Sequence, residues 1–472
     1  MKIIQLVNGY SKGDGVGNVI VAFDALLKKM GYCSEIHNKT LSFSDLNNAD
    51  YSGENMILYH VALTVDPLIC YLKCRKVLIF HNITDPQLLL GSGLAQMRTL
   101  CSAGLYDIQD TANNFERAIV FSKYSQDILV KSGWEESKIS IIPISVRLDK
   151  MTFEKDDSIY ERYSDGKVNI LFTGRVFPNK KQDSLIRSFK QYHDKYNENS
   201  RLLIVGNHSN SAYYDALKRL VYKLKVENDV VFTGRVSLTE YVTYYQIADV
   251  FLCMSEHEGF CIPLVEAMHY NVPIIALNRT AIPDTLSGCG VLLDCKNYET
   301  FADEINRIIQ DGVRRNDILE GQNKRLKDLS PGVLETRYRK LLEMIIDFST
   351  IPQYKSFDDN TVIGDQISVP DQIKNEQNVI YGYGAAGNRL HDKLTEIGIE
   401  NIAVCDANKG GSIDGGIKIE TIENALSTYR NANFIISIQD KGVIKNVVCL
   451  ILDNGIQQKK IFVYDEENER VI

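Results

Sequence analysis

The stretch that most narrows what this chain can fold into runs from Ala248 to Met268, ADVFLCMSEHEGFCIPLVEAM. Its first part, ADVFLCM, has the make-up of a buried β-strand. Gly259 then marks a turn, and Pro263 marks a helix start, with Pro263 as the expected first helical residue. Glu258 falls on the strand-to-helix loop and Glu266 within the opening turns of the helix. On one continuous helix the two acids would lie about 80° apart, but with Pro263 between them they need not share a helix. Both carboxylates therefore belong to the carboxyl end of a strand, the edge at which open α/β sheets bind ligands. Two solvated acids beside an ordinary helix cap would show the same spacing, so the pair alone does not decide.

The rest of the chain alternates strands and helices in the same way. KIIQLVN reads as a first strand, followed by a loop carrying Gly13, Gly15 and Gly17 and an amphipathic helix. Glycines before a helix let the backbone approach an anion, although G-x-G-x-G is not the dinucleotide spacing and a flexible turn fits it equally well. NMILYHV and KVLIFHN are further strands, bringing His60 and His81 to their carboxyl ends. A histidine there can bond a sugar hydroxyl or a phosphate, or simply cap or fill the core. For His60 the core reading is favoured; for His81 the two stand level. Residues 87–117 read as helices broken at Gly91, Gly93 and Gly104, KISIIPISV as the last strand of the first half, and residues 150–166 as a linker. VNILFTGRVFPNKKQ then runs a strand into Arg175, Pro178, Lys180 and Lys181. The pentapeptide FTGRV recurs and carries Arg235 and Val236, and Ser237 with Glu240 forms a capping-box pattern.

SEHEGFCIPLVEAM resembles the E-x7-E motif of retaining GT-B glycosyltransferases of the family 4 type. The resemblance implies an α/β fold of two Rossmann-like domains facing a cleft, an acceptor-side domain at 1–165 and a donor-side domain at 166–348. It implies that Glu258 faces the donor sugar, that Glu266 holds the ribose, and that the amides of Gly259, Phe260 and Cys261 lie beside the sugar and diphosphate. Arg175 and Lys180 match the family's Gly-Arg followed five residues later by Lys. Fixed cations there stabilise the departing diphosphate. The glycine usual after that lysine is Lys181 here, which leaves open which lysine reaches the ligand. Arg235 and Val236 correspond to the nucleobase side, while Gly15, Gly17 and His81 close the cleft from the first domain.

The implied reaction is hexosyl transfer from a UDP- or GDP-linked sugar, with no other cofactor and no metal, to a glycan or lipid-linked glycan in surface polysaccharide synthesis. The site would lie in the cytoplasm, peripheral to the inner face of a membrane. A glycosidase pair of carboxylates is set aside because Glu266 is expected on the nucleotide. A GT-B-fold nucleotide-sugar epimerase and a non-catalytic nucleotide-sugar-binding protein remain as alternatives.

A length of 472 residues suggests about three domains, and 44% hydrophobic residues can supply their cores. The mixed 24% charge suits a soluble protein, and a net charge of −8 disfavours nucleic acid as the main partner. No apolar run is long enough to span a membrane or to act as a signal peptide. The ten cysteines show no pairing pattern, as expected of a reducing compartment. Cys70 and Cys74 lack the companions of a zinc site, and Cys253 and Cys449 read as buried free thiols. Residues 349–375, with Pro352, Asp358, Asp359, Asn360 and Pro370, read as a linker to a small Rossmann-like domain at 376–472. There Gly382, Gly384 and Gly387 fit G-x-G-x-x-G between a strand and a helix, and Asp406 stands where a ribose-binding acid would. A second nucleotide site or a purely structural or assembly role fits this piece equally; the pattern does not speak to oligomeric state.

Overall fold

The computed structural model describes residues 1–10, 15–146, 154–208, 211–346, 369–407, 409–414, 417–438, 460–465 and 470–471, with isolated residues between them. Gly13, Cys449, Asp358, Asp359, Asn360 and most of the expected linker lie outside the described residues. The chain divides into two compact units, Met1–Ser349 and Thr350–Ile472.

The first unit holds two parallel sheets of six strands each. In one, β1 (Lys2–Val7), β2 (Cys33–Asn38), β3 (Met56–Val61), β4 (Arg75–Phe80), β5 (Arg117–Val120) and β6 (Ile139–Ile141) lie in the order β2-β1-β3-β4-β5-β6. In the other, β7 (Val168–Thr173), β8 (Ser200–Val205), β9 (Val230–Gly234), β10 (Val250–Cys253), β11 (Ile274–Leu277) and β12 (Val291–Leu293) lie in the order β12-β11-β10-β7-β8-β9. Their near-continuous apolar runs follow from having helices on both faces; every residue of β3, β8 and β10 is buried.

Each sheet reverses its strand order once, between β1 and β3 and between β7 and β10, and a crevice opens at such a switch point beyond the carboxyl ends. β7 and β10 pair with Ile170 beside Val250 and Leu171 beside Phe251. The loops that follow these two strands are those carrying Arg175, Lys180 and Glu258.

The helix Pro331–Ile346 returns to the first sheet. Tyr338 donates its hydroxyl to the Pro143 carbonyl at 2.8 Å and sets its ring edge-on to Phe23, and Arg75 donates to the Ile345 carbonyl at 2.7 Å. Leu334, Leu342 and Ile345 share one apolar core with Ile3, Leu58, Val77, Phe260 and Val265, so the two sheets are joined by continuous packing.

Several local expectations shift. The helix Ala95–Asp110 runs unbroken through Gly104, because the missing side chain admits another loop: a Cβ there would sit 1.7 Å from the Leu63 carbonyl oxygen. The expected linker at 150–166 contains the helix Asp157–Tyr163, capped by Asp156. The helix after β10 spans Ile262–His269, so Pro263 is its second residue and Cys261 its N-cap. Gly15 and Gly17 fall in the first turn of the helix Gly15–Lys29 rather than in a loop before it.

In the second unit, β13 (Asn378–Tyr381), β14 (Ile402–Cys405), β15 (Ile413–Asp414), β16 (Ile417–Glu420), β17 (Asn433–Ile436), β18 (Ile461–Asp465) and β19 (Arg470–Val471) form a sheet ordered β15-β16-β14-β13-β17-β18-β19. Its five inner strands are parallel and its two edge strands antiparallel. That is a Rossmann-like winding with its switch point between β13 and β17.

The tightest backbone crossing at a glycine of the second sheet and its loops lies just past β8, where Gly206 has φ +151 and a Cβ would fall 2.1 Å from the Gly174 carbonyl oxygen. Gly206→Ala is expected to cost about 2–4 kcal/mol, read as a lower denaturation midpoint; an unchanged midpoint would show that the two loops can part.

Candidate functional site

The site is built at the β7/β10 switch point. Past β7 the chain turns through Arg175 and the short 3-10 turn Pro178–Lys180, and past β10 through the loop to Cys261. Lys180 Nζ donates to both oxygens of the buried Glu258 carboxylate, at 2.6 and 2.7 Å. Burial works against the Lys180 charge, but Glu258, with Cys261 and Cys253 beside it, outweighs that and holds the ammonium's pKa above its ordinary value. The sequence reading assigned these two residues to different parts of a ligand; the structure joins them. Lys181 takes the left-handed conformation, φ 52, and reaches Glu256 at 3.6 Å instead. Arg175 is exposed, with its guanidinium 4.3 Å from the centre of the Phe177 ring.

The loop carrying Glu258 is pinned by side chains from four other segments. Asn179 donates to the His257 carbonyl at 2.9 Å, Asn82 to the Glu258 carbonyl at 3.3 Å, and the Glu258 amide to the Thr280 hydroxyl at 3.0 Å. Thr285 donates to the Phe260 carbonyl. The amides of Gly259, Phe260 and Cys261 have no acceptor among the described residues, and they lead into a helix N-terminus, where the backbone favours an anion. The Phe260 side chain is core, buried with Val265.

Glu266 is buried on the helix, and its Oε2 accepts from the hydroxyls of Tyr241 at 2.7 Å and Tyr245 at 2.8 Å. Tyr245 in turn lies 2.6 Å from the Thr173 hydroxyl at the end of β7. Burial pushes the Glu266 carboxyl up, and the two hydroxyls only partly offset it. Neither tyrosine was singled out in the sequence. Their signal is the four-residue spacing in YVTYY, which stacks both on one helix face. Past β9, Arg235 is exposed, and Val236 packs against the core that includes Cys261 and Leu264.

The first sheet meets this loop directly. A Cβ on Gly259 would lie 2.9 Å from both the Asn82 Cβ and the His81 carbonyl oxygen, so only glycine fits there. Gly15 lies against the Ile262 side chain, its absent Cβ 3.5 Å from that residue's Cδ1. His81 is half-buried and bonded to His60, 2.9 Å between His81 Nε2 and His60 Nδ1, and His60 Nε2 is 3.2 Å from Gln5 Oε1. With Gln5 accepting, His60 carries its proton on Nε2 and accepts from His81, which leaves His81 Nδ1 as an acceptor. Burial lowers both imidazoles, His81 to about 3; for His60 the neighbouring His81 adds to the effect of burial. His60 thus serves as the support beneath His81.

In the second unit, Gly384 caps the helix Ala385–Glu396, and the absent Cβ of Gly387 would lie 2.2 Å from the Gly382 carbonyl oxygen, the close helix-to-strand contact the motif requires. Asp406 accepts from the Tyr383 amide at 2.8 Å through one oxygen and from the Lys409 amide at 3.0 Å through the other. One oxygen of this acid thus holds the protein's own glycine turn, and the other braces the loop that follows the acid itself.

Residues 154–325 match the family model described as Glycosyl transferases group 1. The chain is 26% identical over 207 residues to a GDP-mannose-dependent alpha-(1-6)-phosphatidylinositol monomannoside mannosyltransferase of Mycobacterium tuberculosis, covering 41% of this chain and 52% of that protein. The chain thus spans about half the length of the curated relatives it first matches. It is 21% identical over 367 residues to the amylovoran biosynthesis glycosyltransferase AmsD of Erwinia amylovora, covering 72% of this chain and 99% of that one. Among solved structures it superposes on Anabaena HepE in complex with UDP and glucose with a TM-score of 0.56 at 15% identity, over 73% of this chain and 100% of that one. Sucrose-phosphate synthase from Thermosynechococcus elongatus gives a TM-score of 0.58 at 16% identity, over 73% and 99% of the two chains. These neighbours share the fold.

The histidine pair makes a pH prediction. A histidine whose pKa is lowered on folding contributes stability that is full above its unfolded value, about 6.5, and is lost as pH falls toward the folded value. Stability should therefore drop between about pH 6.5 and about pH 3, the His81 value, by at most about 1.4 kcal/mol per pH unit for each histidine. Denaturation midpoints from pH 7 to pH 4 should fall less steeply in His60→Asn and His81→Asn; equal slopes would remove the histidines from the acid response.

Proposed function

We propose that the protein, whose residues 154–325 match the model of group 1 glycosyl transferases and whose Met1–Ser349 unit has the GT-B fold, transfers a hexosyl group from a nucleotide diphosphate sugar to a glycan or lipid-linked glycan, with retention at the anomeric carbon. The observation that carries this reading is the Lys180–Glu258 pair at the switch point, beside three amides with no acceptor among the described residues and next to Arg175 on the Lys180 loop.

The pair supplies a mechanism. A diphosphate entering beside it competes with Glu258 for the Lys180 ammonium. Glu258, relieved of its cation, becomes an acceptor for the sugar hydroxyls, while Lys180 and Arg175 take the charge that develops as the sugar–phosphate bond breaks. The amides of Gly259, Phe260 and Cys261 add fixed dipoles to the same oxygens. Glu266, oriented by Tyr241 and Tyr245, holds the ribose, with Arg235 and Val236 toward the base. His81 and the glycines Gly15 and Gly17 bound the acceptor side. The leaving phosphate takes the acceptor proton on the same face, and these cations make a metal unnecessary.

The mycobacterial relative is named as GDP-mannose-dependent and the Anabaena structure holds UDP and glucose, so GDP- and UDP-linked donors both belong in the screen. A lipid-linked acceptor would bring the enzyme to the inner face of a membrane; among the described residues no helix is long and apolar enough to cross one. Co-sedimentation with anionic vesicles tests that placement, and its absence would count against it. The 376–472 unit is proposed as an accessory module that binds a nucleotide or serves assembly.

A donor at 100 times its dissociation constant should stabilise the protein by about 2.7 kcal/mol, and product should form only when acceptor is added. Lys180→Met is expected to lower kcat about 10²–10³-fold, and Glu266→Gln chiefly to raise the donor KM. Wild-type turnover in both variants would sink the assignment, as would a changed donor sugar without acceptor, the mark of an epimerase. A chain ending at residue 349 should keep transfer activity; a folded but inactive truncation would overturn the accessory role.

A further inference from the structure

Two buried thiols lie beside the catalytic pair and have no part in the reaction just described. Cys253 ends β10 and Cys261 caps the following helix, and both are almost fully buried. Their sulfurs and a carboxylate oxygen of Glu258 all lie within 4.8 Å of one another. Cys261 adopts φ 69, a conformation that is strained for any residue with a Cβ and free for glycine. Strain of this kind clusters at functional sites. Cysteine, glutamate and cysteine arranged round one point are a donor set for a borderline-soft ion. A tetrahedral centre with metal–sulfur bonds near 2.3 Å needs its sulfurs about 3.8 Å apart, which asks for side-chain movement of about 1 Å or less. The cation now facing the three groups is the Lys180 ammonium.

We propose that Cys253, Cys261 and Glu258 form a binding site for a single thiophilic divalent cation such as Zn²⁺, and that its entry takes Glu258 from Lys180 and halts transfer. Binding releases the two thiol protons and forms two metal–thiolate bonds and one metal–carboxylate bond, with water completing the shell. A metal centred on Glu258 removes the acceptor for the sugar hydroxyls and sets a second positive charge against the ammonium. This is an inhibitory site, distinct from any metal requirement of catalysis. Its inhibitory half rests on the function proposed above; its binding half does not.

The test uses the full chain with its thiols kept reduced, Cd²⁺ as the spectroscopic probe and Zn²⁺ for activity. Titration with Cd²⁺ should produce near-ultraviolet thiolate-to-metal absorption that saturates at one equivalent per chain. Zn²⁺ should lower transfer at least tenfold, with recovery on adding a chelator. Cys253→Val and Cys253→Ala, checked for folding by circular dichroism, should lose the absorption, and their residual transfer should no longer respond to Zn²⁺. Saturation that survives in both folded variants would place the metal on other cysteines and overturn the site. Absence of the thiolate band in the wild type would do the same. Binding at one equivalent without inhibition of an active enzyme would overturn the displacement of Glu258. A chain inactive on every donor would refute the proposed function and leave the binding result to stand or fall alone.

Discussion

A carboxylate carried into the seam between two sheets cannot stay there charged without a cation. Removing an ion from water costs several kcal/mol even after the protein relaxes, and Glu258 meets that cost through two short bonds from Lys180. Much else follows from this contact. It requires the loops after β7 and β10 to run side by side, which the strand order provides by reversing between those two strands. It also requires the Glu258 loop to be rigid, and Asn179, Asn82 and Thr280 hold it by its backbone. On the function proposed, a diphosphate would compete for the lysine at this pair of opposite charges.

The two sheets of the first unit are locked at that point. Gly259 lies so close to His81 and Asn82 that a methyl group would not fit, and the returning helix Pro331–Ile346 packs against the first sheet. The histidine ladder Gln5–His60–His81 stands behind the contact as an uncharged, hydrogen-bonded column. A charged imidazole there would face desolvation with no carboxylate bonded to it, which explains why burial drives both rings toward the neutral form. The same economy appears in the second unit, where Asp406 gives one oxygen to the glycine turn at Tyr383 and the other to the Lys409 amide of its own loop. An acid at the ribose-binding position can therefore serve as a turn brace, and the motif alone does not tell the two uses apart.

The stretch Ala248–Met268 was readable because its signals are local: an apolar strand, a glycine, a proline and two acids at set offsets. The same holds for the Ser237–Glu240 capping box, formed by residues three apart and present in the structure, and for the strand–glycine–helix pattern at 378–396. Gly104 failed for the complementary reason. A glycine in a helical pattern reads as a break, and only the Leu63 carbonyl, some forty positions earlier in the chain, makes it a point of close packing.

From residue order alone, then, came the alternation of strands and helices and the set of residue types at the strand ends. These depend on periodicity and on backbone preference, which act over a few residues. Partnership was decided by the tertiary structure: that Lys180 takes Glu258, that two tyrosines take Glu266, that His60 supports His81, and that Cys253 and Cys261 face one carboxylate. A charge or a donor fixes only what kind of partner it needs. Which group supplies it depends on where the strand order and the packing of the two sheets bring side chains that are far apart in the chain.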